Sequence, residues 1–295
     1  MSGSRKKDQP QGRHTTPPPA EPSAPLTEQV ADPAWAGQQQ QAIELATVAL
    51  AAPDLSAAQR VALLDLRAES RMAQGDMAGA SADAAAMRTL TNHAKSAALR
   101  TLALNRQTRL QLSREADDAA AVKTATRALG EAIKSGQSEL HAMSLLLLAD
   151  AQSRDRSRRG AALENSEQAA ALFKALGQPA TQGQACLVQA SVLWRLGLTP
   201  QDRAAANCAL TLAQASGDLL GQGRVLGLLP NMMGDFAAQL RLRNQSLAAF
   251  KALAHLPRYG HAVASLAGEY FRLGLYRQAR RCPSRPTAQC ARRSR

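Results

Sequence analysis

The chain has 295 residues, 45% of them hydrophobic but only 3% aromatic, and a formal charge of +13. That is material for one or two ordinary domains or one long array; the weight on Ala and Leu, without long β-branched runs, favours helices over sheet. The longest apolar run, Leu145 to Ala149, is far too short to cross a bilayer, so no membrane span is expected.

The charge is unevenly placed. Residues 277–295 hold seven arginines and no acid, and without them the excess falls to +6. Such a tail attracts phosphate or anionic lipid without specificity; the simpler reading is a solvated end. Of the four cysteines, Cys186 and Cys208 lie in Ala/Leu-rich helical stretches and read as small hydrophobes. Cys282 and Cys290 have no nearby His and no zinc spacing. Reduced thiols and a cytoplasmic location are the expectation. No secretory signal is visible in the first thirty residues.

Residues 1–33 carry seven of the fourteen prolines and are expected to be disordered, with Pro17-Pro18-Pro19 open to a polyproline II conformation. From Trp35 the pattern turns helical. Ala42, Leu45, Val48 and Leu50 give an apolar stripe that Pro53-Asp54 ends. Leu63, Leu64 and Leu66 mark the next helix, Gln74-Gly75-Asp76 a turn, and Met77 to Leu90 a return helix whose alanines allow close approach.

That unit recurs, with turns near Gly75, Arg114, Ser157, Thr199, Gly234 and Gly274. The spacing is about 40 residues, which suits two helices of roughly four turns each. Gly177, Gln182 and Gly183 are echoed 40 residues on by Gly217, Gln222 and Gly223; Phe173-Lys174-Ala175-Leu176 returns 77 residues on as Phe250-Lys251-Ala252-Leu253. Trp194 and Phe271, related by the same offset, read as core residues. The third unit has a long polar turn from Ser153 to Gly160, and the fifth carries Pro230, which predicts a kink or an early stop.

Tyr270, Gly274, Tyr276 and Ala279 in the last unit, and Ala68, Gly75 and Ala80 in an early one, give this pattern a resemblance to the tetratricopeptide repeat (TPR) family. The long period is similar to the variety found in bacterial signalling proteins, ahead of a nucleotide cyclase or histidine kinase. The resemblance implies an all-α superhelix of about eleven helices in antiparallel pairs over 34–281, followed by a basic disordered tail at 282–295. It also implies a non-catalytic scaffold that holds a protein or peptide segment in a concave groove. Mapped onto this sequence, the groove positions are Asp65, Glu69, Arg100, Gln107, Gln184, Ser191, Arg195, His261 and Arg272. Arg195 and Arg272 share one register and suit a partner's carboxylate; solvent-facing arginines are the plainer reading. Pro283 and Pro286 cut the last return helix short, which implies an uncapped face open to self-association and a chain that is the remnant of a longer signalling protein.

No catalytic constellation stands out, and no cofactor is expected. Gly217 to Gly223 precedes no Lys-Ser/Thr and joins two helices. The histidines at 14, 93, 141, 255 and 261 do not pair in a metal-ligand spacing. Asp117-Asp118 suits a helix start. The arginines at 154, 156, 158 and 159 form either a solvated loop or a grip for phosphate or an acidic peptide. Alternatives to the scaffold are the regulatory part of a cyclase or kinase whose catalytic domain is missing, and weak nucleic-acid binding through the tail. A single-strand reader would need stacking aromatics beside its basic groove.

Overall fold

A computed structural model of the chain describes residues 26–282 except His93, residues 115–117 and Thr199. The expectations for residues 1–25 with His14 and Pro17-Pro18-Pro19, for His93, Asp117 and Thr199, and for Cys290 and the tail beyond Cys282 lie outside the described residues. Within them the chain is all-α: fourteen α-helices, two short 3-10 turns and no strand. The helices run α1 (Leu26–Trp35), α2 (Gln39–Leu50), α3 (Ala57–Gln74), α4 (Met77–Asn92), α5 (Ala97–Arg114), α6 (Asp118–Ser135) and α7 (Ser138–Ser153). They continue with α8 (Arg159–Ala175), α9 (Pro179–Leu196), α10 (Gln201–Ala215), α11 (Leu219–Leu228), α12 (Phe236–Ala252), α13 (Leu256–Arg272) and α14 (Tyr276–Arg281). The expected count of eleven is therefore raised to fourteen, with additions at both ends. α1 begins inside the segment read as disordered: its Val30 is buried against Ala42, Ala46 and Ala49 of α2 and Leu63 of α3, and that burial offsets the cost of ordering it. The buried face of α2 is likewise its alanine stripe, while Leu45 and Val48 point outward.

There is no single core. Six separate hydrophobic clusters occur among the described residues, and those from α1 to α11 each join one helix pair to the first helix of the next. First helices touch first helices, as in α3–α5, α5–α7 and α7–α9, so they form the inner layer and the second helices the outer one. The layering is written in the sequence. Inner α7 buries four consecutive leucines, Leu145 to Leu148, because it has neighbours all round. Outer α8, α10 and α12 bury one thin stripe each, in register: Ser166, Ala169 and Phe173; Ala206, Ala209 and Ala213; Arg243, Ser246 and Phe250.

Turn chemistry fixes the pairs. α3 starts on a capping box between Ser56 and Gln59 and stops at Gly75, whose φ of 80° only glycine adopts cheaply. α11 ends at Leu228, and Pro230 turns the rest of that element into a 3-10 segment, Leu229–Met232. The joints after α8 and α12 repeat bond for bond: the Gln178 amide donates to Phe173 O, and the His255 amide to Phe250 O. At the first joint the left-handed residue is Gly177, at φ 67°; at the second it is Ala254, at φ 49°. An alanine there carries strain that a glycine would not. Ala254→Gly should raise stability by about 1 kcal/mol and Gly177→Ala should lower it by a similar amount, read as opposite shifts in urea midpoint.

The array closes on itself. The α1–α2 turn packs on the end of α12, where a Cβ added at Gly37 would sit 3.2 Å from Ala252 O. Helix α3 touches α13, and Pro257 lies beside Gly75. One superhelical turn thus brings the two ends of the array, α1–α3 and α12–α13, into contact.

Candidate binding site

The inner layer holds a cavity of about 300 Å³ between α9, α11, α12 and α13. From α9 it takes Leu187, Ser191, Trp194 and Arg195; from α11, Arg224, Gly227 and Leu228; from the 3-10 turn, Asn231. Helix α12 contributes Arg243 and Phe250, and α13 contributes Arg258, His261 and Ser265. Four arginines and a histidine line it and no carboxylate does. Glu269 stands behind the wall: it accepts from Arg243 Nε at 2.8 Å and also pairs with Arg272, and these guanidiniums hold its carboxyl below the usual range against the opposing effect of burial. Arg243 donates further to Asn231 Oδ1 at 3.0 Å, so its charge is balanced and its position fixed. Among the described residues neither Arg195 nor Arg224 has a carboxylate partner. The cavity therefore presents uncompensated positive charge beside apolar patches from Trp194, Leu187 and Phe250.

Of the nine groove positions expected from sequence, Ser191, Arg195 and His261 meet in this cavity. Asp65 and Glu69 come together elsewhere, on α3, where both pair with Arg106 of α5. Arg106 is 5% exposed, and its two carboxylates hold its charge more firmly than usual even though burial opposes it. Crowding disfavours the Glu69 carboxylate, but Arg106 and Arg109 outweigh that and bring it down to about 2. Arg100 ties to Glu131 of α6, and Arg272 pairs with Glu269 of its own helix. Gln107 and Gln184 are half-buried.

The sequence reading missed Arg224 and Arg243, and both left a signal. Arg224 lies 40 residues after Gln184, a groove position, and the same offset relates Gly183 to Gly223. Arg243 stands on an outer helix where the two preceding repeats carry Ser166 and Ala206, so a buried arginine there breaks the small-residue pattern.

Two other readings change. Trp194 and Phe271 are not core: Trp194 is 39% exposed at the cavity, and Phe271 is 64% exposed with its ring edge-on to Tyr276. The arginine loop after α7 disperses into separate bonds, with Arg154 on Asp118, Arg158 on Asp155 and Arg159 on the Arg195 carbonyl, so it forms no common grip. Asp218 of the Gly-rich connector caps α11 by accepting from the Gly221 amide at 2.8 Å. No cluster of His, Cys, Asp and Glu that could hold a metal occurs among the described residues, and no described helix is long and apolar enough to cross a membrane.

No family model and no curated protein matches the sequence. Solved structures do match. A Rap protein complexed with competence and sporulation factor aligns with a TM-score of 0.69 at 14% identity, over 86% of this chain and 70% of that one. A signal-transduction ATPase with numerous domains (STAND) from Pyrococcus horikoshii, with a tetratricopeptide repeat sensor, aligns at 0.52 and 14% identity over 84% of this chain. The fold is a TPR-type helical repeat. BtubC from P. vanneervenii gives 0.51 at 18% identity, over 75% of this chain and 90% of that one. This TPR-type chain spans only 38% of the STAND protein's length. Stacked helical repeats of this type present an extended concave surface along their successive inner helices.

Proposed function

We propose that the protein is a non-catalytic docking scaffold of a bacterial signalling system, cytoplasmic, and that its inner cavity holds an acidic segment of a protein partner. The observation that carries this reading is the lining: four arginines and no carboxylate, with Arg195 and Arg224 unpaired among the described residues. A guanidinium offers a carboxylate two parallel bonds, and a half-dry cavity strengthens them over bulk water. Trp194 and Phe250 add apolar area for the segment's non-acidic side chains. The cavity size suits one or two side chains rather than a whole domain. The Rap structure, bound to competence and sporulation factor, and the STAND repeat sensor support a sensing role. The STAND neighbour also favours a second reading, the regulatory part of a longer signalling enzyme, because its own repeat sensor is one part of a longer chain.

Selection of a random peptide library on the immobilised protein should enrich Asp and Glu. Arg195→Glu should weaken the selected peptides at least about tenfold while the helical signal stays unchanged. Enrichment of basic or purely apolar peptides, or affinity indifferent to the swap, would remove the assignment.

A further inference from the structure

Cys186 of α9 and Cys208 of α10 face each other with sulfurs 3.6 Å apart, both as free thiols. The helices are held close beside them. Gly183, one turn before Cys186, marks a close approach: a Cβ there would lie 3.3 Å from Leu212 Cβ and 3.4 Å from Ala209 O, next to Cys208. Ala190 of α9 and Ala206 and Ala209 of α10 are fully buried in one cluster with Cys186. The repeat itself does not ask for this pair. The places equivalent to Cys208 in α8 and α12 are Gln168 and Gln245, both exposed, and those equivalent to Cys186 in α11 and α13 are Leu226 and Val263. One thiol is therefore accessible and the other shielded: Cys208 is exposed and Cys186 is buried.

We propose that Cys186 and Cys208 are a redox modification site, closed to a reversible disulfide by a peroxide-class oxidant that reaches Cys208. The Cys208 thiolate attacks one peroxide oxygen, the O–O bond breaks, and the sulfur becomes a sulfenic acid while one water leaves. The Cys186 sulfur then attacks that sulfur, the S–O bond breaks, and a second water carries off the hydroxyl and the Cys186 proton. Two thiols lose two electrons in all and the peroxide gains them. Burial and the neighbouring sulfur push the Cys186 thiol up to about 12, so its attack quickens in alkali. Closure ties α9, which supplies Leu187, Ser191, Trp194 and Arg195 to the cavity, to the outer layer.

The test uses the full chain with Cys282→Ser and Cys290→Ser, leaving only this pair. Hydrogen peroxide should lower the intact mass by about 2 Da, restored by a dithiol reductant, with digestion giving one cross-linked peptide. The bond should form at least about tenfold faster in the native chain than in denaturant, because the fold supplies the proximity. Cys208→Ser should leave Cys186 reduced. Cys208 oxidised to the sulfinic acid beside a reduced Cys186, or equal rates native and denatured, would overturn the proposal.

Discussion

Phe173→Ala should cost about 3–5 kcal/mol and split the unfolding transition in two. Phe173 is fully buried on α8, where it packs with Leu145, Leu146 and Ala149 of α7 and with Ala185, Val188 and Val192 of α9. It is one of only four phenylalanines in the chain and sits at the joint between two helix pairs. The alanine-rich seams around it cannot collapse into the space it leaves, since Ala162, Ala169 and Ala185 have no side chain to extend. In a globule with one core, that loss would lower a single transition. Here each pair leans on its neighbours, so weakening one joint leaves the units before it and after it joined only through the closing contact of α1–α3 with α12 and α13. Urea unfolding followed by hydrogen exchange should show α1–α7 and α9–α13 opening at separate concentrations. Phe173→Leu should retain most of the coupling, at a cost of about 1 kcal/mol.

Acid should loosen the protein in two steps, one at the start of α13 and one where α3 meets α5. His255 caps α13 through Nδ1, and burial together with the Arg258 guanidinium pushes its imidazole from the ordinary 6.5 down to about 4, with Glu69 opposing and Arg224 assisting. The folded chain keeps this ring neutral where the unfolded chain takes up a proton. Stability is therefore full above pH 6.5 and falls as pH drops towards 4, by about 3 kcal/mol in all. The second step belongs to Glu69, whose carboxyl is held at about 2 against 4.5 for a free one. Its contribution is present above pH 4.5 and is lost as pH falls towards 2, when the pairing with Arg106 fails. His255→Asn keeps a capping side chain without the titration. Thermal melts of that variant should be flat between pH 6.5 and 4.5 where the parent slopes. A parent melt equally flat there would contradict the assignment to His255.

The repeat was legible because it left residue-level echoes. The offsets of 40 and 77 that link Gly183 to Gly223 and Phe173 to Phe250 also place the buried stripes of the outer helices, the left-handed joints at Gly177 and Ala254, and the caps at Asp218 and His255. Periodicity is a local property, so composition and spacing carry it. Features set by the path of the superhelix were not legible. Gly37 reads as an ordinary turn glycine, yet it faces Ala252, more than two hundred residues away, and no local pattern announces that contact. The same limit explains the groove. Helix register alone places Ser191, Arg195 and His261 on inner helices, where they line one cavity, but register does not say which arginines are already neutralised. Asp65 and Glu69 are tied up by Arg106 of α5. Trp194 and Phe271 share a register that suggests packing; Trp194 instead lies at the inner cavity, and α14, the helix that follows Phe271, is only six residues long.

Docking of an acidic segment among the inner arginines is tested most directly by a hydrogen-exchange footprint of the full chain with and without a selected acidic peptide. Slowed exchange should be confined to α9, α11 and α13, around Arg195, Arg224 and His261, and should vanish in Arg195→Glu. Protection centred on α3 and α5, or on the outer helices α8 and α10, would contradict the account.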